Sequence, residues 1–390
     1  MTKIQNSKQR LNKSRTAGLY IHIPFCRSKC NYCDFYSITS LHQIPDFLKA
    51  LEREMEIYRQ VLGRFDTLYI GGGTPSVLTT RDFAGILSQI DKTFCLSSDT
   101  EITVEVNPAD VDRKYLESLR QLGVNRLHIG VQSFDEKVLS FLERRHTKSQ
   151  AVRAIESAQK AGFDNMGLDL IYGVPGQDRQ SWIDNLSLAV SFDVAHLSCY
   201  QLTVEPRTPL GIRRQRGEFS LPGEEIQHDL FMATSETLED AGYVHYEVSN
   251  FAKGLSAASR HNQKYWNHTP YLGLGPAAHS FRNNRRWWNH RSVNQYIRDL
   301  GRGKAPVEGA ETLTGKQLQM EALCLGLRTK KGIHLTDFSA RYQCDLLSEN
   351  GGILATLGEA ELVEIKDGYL CPTRCGLAVA DSLSQIWKLS

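Results

Sequence analysis

The chain has 390 residues, with 46 Lys and Arg against 44 Asp and Glu, a formal net charge of +2. That even balance argues against a nucleic-acid binder held by bulk charge, and a hydrophobic content of 41% is enough for a real core. No apolar run reaches the roughly 18 residues that a membrane span needs, and the length sets a soft prior of two or three domains.

The amino terminus is polar and basic and lacks the apolar segment of a secretory signal. Residues 1–17 are expected to form a disordered tail, and the protein is expected to be cytoplasmic. Nine cysteines in such a chain read as ligands or buried thiols, not disulfides. Strand-like runs then follow at Leu19–Ile23, Thr67–Ile70, Ile102–Val106, Arg126–Val131, Met166–Ile171 and His196–Cys199. Between them, Phe47, Leu51, Met55 and Tyr58 mark one helical face, and Phe83, Ile86, Leu87 and Ile90 a second. Tyr115, Leu116, Leu119 and Leu122 mark a third, with Gly123 placed to cap it. Six strand–helix units predict an α/β fold, an open or partial (β/α)6 barrel whose functional residues collect at the carboxyl ends of its strands.

The first run leads into Cys26, Cys30 and Cys33, spaced C-x3-C-x2-C. Thiolate is the ligand that selects Fe–S clusters, zinc and copper. On a four-iron cluster three cysteines leave one iron open for chemistry. A closed zinc site needs a fourth ligand, for which Asp34 and His22 are poor candidates. A small non-catalytic zinc loop and idle thiols are the competing readings. The remaining strand ends are also rich in chemistry. Gly71-Gly72-Gly73-Thr74-Pro75 exposes backbone N–H groups suited to an anion, or is simply a tight turn. Glu105 and Asp169 are carboxylates within apolar strands and each should meet a partner. Gln132-Ser133 ends the fourth strand. Arg144 lies in Glu143-Arg-Arg-His146, either a solvated charge run or a guanidinium aimed at a carboxylate.

Beyond residue 200, Pro206, Pro209 and Pro222 mark a loop, followed by a helix at Glu224–Ala241 and a strand at Tyr243–Val248. Residues 250–290 read as aromatic loop. They hold His261-Asn-Gln-Lys-Tyr-Trp266, either a hydrogen-bonded structural histidine or an imidazole with aromatic rings for haem. Cys199, His268, His279 and His290 are further possible ligands. Helical patterns near Lys316–Leu327, Leu335–Tyr342 and Leu346–Thr356 precede a hairpin signalled by Asp367-Gly368. That order resembles a winged helix without a basic recognition face, so DNA binding is not expected. Cys371 and Cys375 cannot close a metal site alone.

Tyr20, His22, Phe25, the cysteine triad with aromatic Tyr32, Gly72, Gly73, Thr74, Glu105, Gln132, Arg144 and Asp169 together resemble the oxygen-independent coproporphyrinogen III oxidase family of radical SAM proteins. The likeness runs from about Leu19 to the carboxyl terminus. It implies a radical SAM core over residues 18–250, an aromatic-rich connecting segment over 251–310 and a smaller helical, winged-helix-like domain over 311–390. It also implies a [4Fe–4S] cluster on Cys26, Cys30 and Cys33. S-adenosylmethionine would sit on the fourth iron, with Tyr20, Tyr32, Gly72, Gly73, Thr74, Glu105, Gln132, Arg144 and Asp169 around it. In the dehydrogenase branch a fourth cysteine follows two residues after the third, and here that position is Phe35. The sister branch has C-x3-C-x2-C-D-F and H-N-x-x-Y-W, as this chain does, and comprises haem chaperones. That branch implies haem as ligand, with His261 contributing, and haem-accepting partners, membrane-associated respiratory enzymes among the candidates. No nucleic acid or transmembrane segment is implied, and no catalytic residue is assigned. The alternative is oxidative decarboxylation of coproporphyrinogen III.

Overall fold

The computed structural model describes residues 16–383 and 385–388. Most of the tail expected over 1–17 therefore lies outside the described residues, and Ala17 already belongs to the first strand. Six parallel strands form the centre of the molecule: β1 (Ala17–Ile23), β2 (Arg64–Gly72), β3 (Cys95–Val106), β4 (Arg126–Gln132), β5 (Met166–Tyr172) and β6 (His196–Gln201). Each contains the run predicted for it. From β2 onward the α-helices between them begin on side-chain caps, with reciprocal capping boxes at Thr79–Asp82, Thr147–Gln150 and Asp178–Ser181. The helix Arg113–Gln121 is closed by Gly123 at φ +95°. Leu19, Ile21, Leu68, Ile70, Leu127, Ile129, Leu168 and Leu170 are fully buried, and Trp182 anchors a covering helix by donating to Thr234 Oγ1 at 2.7 Å.

Five strand spacings separate β1 from β6, about 24 Å in a flat sheet. Yet the segments that follow both strands line one cavity, and the Leu210 amide reaches the Asn31 carbonyl at 2.9 Å. The sheet is curled into a partial barrel, and its concave side holds polar groups such as Arg126, His128, His196 and His261.

The sheet does not stop at six strands. β7 (Val244–Glu247) and β8 (Asn250–Ala252) add antiparallel beyond β6. On the other side β9 (Tyr271–Leu274) pairs parallel with β1, and β10 (His279–Arg282), β11 (Arg285–Asn289) and β12 (Val307–Thr312) continue as a meander. The aromatic loop expected over 250–290 therefore holds four short strands and the helix Arg260–Trp266. The physical reason is that aromatic side chains suit a half-buried pleated surface. The carboxyl-terminal part has its own apolar cluster around Leu323, Leu327, Phe338, Leu357 and Leu370. There β13 (Ile333–His334), β14 (Val363–Lys366) and β15 (Tyr369–Pro372) form a small sheet. Asp367 and Gly368 make the β14–β15 turn with both φ values positive, as the hairpin requires. The helix expected over Leu346–Thr356 is broken in two at Asn350, ahead of Gly351-Gly352. Among the described residues no helix is long and apolar enough to cross a membrane.

One buried carboxylate ties the late strands to the barrel. Glu54, on the helix Ile44–Ile57, accepts from the Gly275 amide (2.7 Å), Asn289 Nδ2 (2.6 Å) and Tyr296 Oη (2.6 Å). Burial raises its pKa to about 7, against the three hydrogen bonds that lower it. The folded state thus keeps a proton that the unfolded chain releases above its ordinary carboxylate pKa. This group's contribution to stability is fullest below about pH 4.5 and is lost as pH rises through about 7, by roughly 3 kcal/mol. Urea midpoints at pH 5 and pH 8 should show that loss in the wild type and a flattened dependence in Glu54→Gln. An identical pH dependence in both proteins would remove Glu54 as its source.

Candidate cofactor site

The loop after β1 is held from several directions. The Cys26 amide donates to the Ile38 carbonyl (3.0 Å), and Asn31 Nδ2 donates to the Phe141 carbonyl (2.9 Å). Arg27 and Arg145 both reach the buried carboxylate of Asp110, at 3.0 and 2.6 Å. The glycine turn after β2 is laced to the same loop. The Gly73 amide donates to the Ile23 carbonyl (2.9 Å), the Thr74 amide to the Phe25 carbonyl (2.8 Å), and Thr74 Oγ1 to Cys26 Sγ (3.2 Å). A Cβ on Gly73 would lie 2.8 Å from the Phe25 carbonyl oxygen and 3.1 Å from Cys26 Sγ. Only glycine lets the turn approach the cysteine loop this closely.

These two loops and the ends of β3 to β6 enclose a cavity of 520 Å³. Tyr32, Cys33, Gly72, Gly73, Thr74, Glu105, Gln132, Arg144 and Asp169 all line it. Its polar groups are sorted by charge. Arg144 donates to the Gly130 carbonyl (2.7 Å), Cys30 Sγ (3.4 Å) and Tyr32 Oη (3.5 Å), while its Nε has no partner among the described residues. Glu105 accepts from Tyr69 Oη (2.8 Å) and the Gly72 amide (3.2 Å), and burial raises its carboxyl pKa. Asp169 Oδ1 lies 3.2 Å from His128 Nδ1, and His128 Nε2 lies 3.1 Å from Arg126 Nη2. A guanidinium only donates, so Nε2 accepts and the proton sits on Nδ1, facing Asp169. That buried row aims the carboxylate into the cavity. Gln132 stands at φ +64° on a bulge in β4, a strained conformation for a side chain at the cavity wall.

The arrangement offers carboxylates for a cationic or amino end and a guanidinium for a carboxylate end, beside three thiols. It suits a zwitterionic ligand next to an iron–sulfur centre. Burial pushes the Cys33 thiol up, partly offset by the Phe35 amide. Among the described residues no three His, Cys, Asp or Glu side chains are gathered as tightly as the ligands of one metal ion.

Tyr20 lies beside this cavity and does not line it, and His261, expected to contribute to haem binding, is bonded within the protein. Tyr20 donates or accepts at His22 Nδ1 (3.0 Å) and lines a neighbouring 410 Å³ cavity with Tyr36, Tyr265 and Arg291. His261 is 1% exposed, with Nδ1 2.8 Å from Thr67 Oγ1 and Nε2 2.9 Å from Tyr265 Oη. Burial, aided by the Lys264 cation, lowers its pKa to about 3. Both ring nitrogens are engaged within the protein, the hydrogen-bonded state that the sequence offers as the alternative to a haem ligand. Tyr69, Arg126, His128 and the Tyr200–Glu205 segment were not singled out from sequence. The alternation Arg126-Leu-His128 in an apolar strand is the signal that marks them as facing the interior.

The profile of the Radical SAM superfamily matches residues 20–189, and that of the HemN C-terminal domain matches 313–379. The heme chaperone HemW of Bacillus subtilis is 34% identical over 362 residues, covering 92% of this chain and 95% of the relative. The chain belongs to the HemW family. The HemW of Mycobacterium tuberculosis is 35% identical over 83% of this chain and 84% of its own. Among solved structures, coproporphyrinogen III oxidase (HemN) from Escherichia coli, described as a radical SAM enzyme, superposes with a TM-score of 0.82. It covers 97% of this chain and 92% of its own at 23% identity, which shows the shared fold. Membership of the HemW family brings with it the radical SAM fold, and that superfamily implies a [4Fe–4S] cluster and S-adenosylmethionine.

Proposed function

We propose that this chain is a haem chaperone, binding haem and passing it to acceptor proteins, and that it carries a [4Fe–4S] cluster with S-adenosylmethionine. The observation that carries the reading is the near full-length similarity to proteins named heme chaperone HemW. Cys26, Cys30 and Cys33 hold the cluster. When bound, the cluster supplies an electron-transfer centre with one iron open to the amino and carboxylate groups of the methionine. Arg144 pairs with the carboxylate end of the ligand, and Glu105 and Asp169 face its cationic end. Gly72, Gly73 and Thr74 present backbone along it, and Tyr32 and Gln132 border it.

Phe35 separates this reading from coproporphyrinogen decarboxylation. It stands where the dehydrogenase branch has its fourth cysteine, and it is 71% exposed at the mouth of the cavity. The test is a titration of anaerobically reconstituted protein with haem, run beside an assay for coproporphyrinogen III decarboxylation and one for haem transfer to an apo-acceptor. Saturable haem binding with transfer and without decarboxylation is expected. Robust decarboxylation, or no haem binding, would overturn the proposal.

A further inference from the structure

The cofactor cavity does not end at the cysteine loop. Asp34 and Phe35 border both it and the 410 Å³ cavity beside Tyr20. Tyr265, Tyr271 and His279 border that second cavity and a third, of 540 Å³, between the β9–β11 face and the helix Gly315–Gly326. The three form one trough along the open edge of the barrel, and its far compartment is of the size that cofactor-sized ligands occupy. One side of it is aromatic, with Tyr271, Phe281 and Trp288 around the imidazole of His279, and the other carries Arg286 neutralised by Glu311 and Glu321.

His279 differs from the other histidines at this end of the molecule. His268 is 3.2 Å from Glu321 and His261 is bonded at both nitrogens. The His279 ring has no hydrogen-bond partner among the described residues. It is exposed on β10 and stacks on its cross-strand neighbour Trp288, with centroids 5.8 Å apart at 26°. Partial desolvation of the ring against the cavity wall, with the Arg286 and Arg291 cations, lowers its pKa, which favours the neutral, metal-binding form. Arg286 is held by Glu311 and Glu321, but Arg291 donates only to the Asp34 carbonyl (3.1 Å) and has no carboxylate partner among the described residues. An unbonded imidazole, flat aromatic walls and an uncompensated guanidinium are what an iron porphyrin with two propionates requires.

We infer that haem is carried across the second and third compartments, with His279, which borders both, as its axial ligand and Arg291, in the second, facing a propionate. The inference rests on the chaperone reading and locates its cargo away from His261. It is tested with ferric haem as the probe, on cluster-loaded full-length protein. His279→Ala should bind haem at least about tenfold more weakly, the order expected for disturbing a metal site, and with a shifted Soret band. Added imidazole should restore the wild-type spectrum in His279→Gly, which a merely structural role would not allow. Arg291→Gln should weaken binding without moving the Soret band. Unchanged affinity and spectrum in His279→Ala, or a Soret shift confined to Cys324→Ser on the opposite helix, would overturn this site while leaving the chaperone reading intact. Failure of the wild type to bind haem would overturn both.

Discussion

Alanine at any one of Cys26, Cys30 or Cys33 should leave the anaerobically reconstituted protein without the visible absorbance of an iron–sulfur cluster. Iron should fall from about four per chain to less than about one. Each thiol has a separate support. Cys26 is buried beneath Gly73 and accepts from Thr74, Cys30 faces Arg144, and Cys33 forms part of the cavity wall. No other cysteine can stand in. Cys95 belongs to β3 at its amino end, Cys199 is buried in β6, and Cys324, Cys344, Cys371 and Cys375 lie in the carboxyl-terminal third. Folding should survive the substitutions, because the loop is held by Asn31, the Ile38 carbonyl and the Arg27–Asp110–Arg145 bridge, none of which uses sulfur. A full complement of iron in a single variant would show that its cysteine is not a ligand.

Asp169→Ala should weaken binding of S-adenosylmethionine by about 10- to 100-fold, the equivalent of one charge-assisted contact. The carboxylate is the last member of the row Arg126–His128–Asp169, and the row fixes its direction. Arg126 is fully buried, bonded to Asn165 Oδ1 (2.7 Å) and the Ala257 carbonyl (3.0 Å), and has no carboxylate partner of its own among the described residues. Asp169→Asn keeps an acceptor for His128 Nδ1–H, so it should fold as the wild type does and still lose affinity. Equilibrium dialysis of cluster-loaded protein measures this directly. Wild-type affinity in both variants would mean that the ligand's cationic end does not face Asp169.

The parallel core was legible because a strand buried on both faces must be nearly all apolar, and Leu68-Tyr-Ile70 or Leu168-Asp-Leu-Ile171 can be little else. The late strands were not. β10 and β11 are four and five residues long, and Arg285-Arg-Trp-Trp-Asn289 alternates too weakly to declare a face. The turn between them did carry a signal, since Asn283 and Asn284 both adopt positive φ. At the site, the cysteine loop, the glycine turn and the carboxylates announced themselves by residue type at strand ends, and one cavity gathers them. Tyr20 sits within β1, where its ring faces Tyr69, His22 and His261, and of these three only Tyr69 lines the cavity. Tyr69 and Tyr200–Glu205 carry no distinctive spacing, and only the curl of the sheet brings them in.

The pairing of β1 with β9 sets an order of assembly during synthesis. The strand that leads into the cysteine loop leaves the ribosome about 250 residues ahead of its second neighbour, some tens of seconds at about 5–20 residues per second. For that interval β1 has one edge open along Gly18–Ile21, the kind of template that invites pairing with another nascent chain. A nascent chain that stalls before Tyr271 has all six strands of the barrel and all three cysteines, but its cysteine-bearing strand is unpaired on one side. Aggregation should therefore depend sharply on whether synthesis passes residues 271–274, even though those four residues hold none of the cysteines.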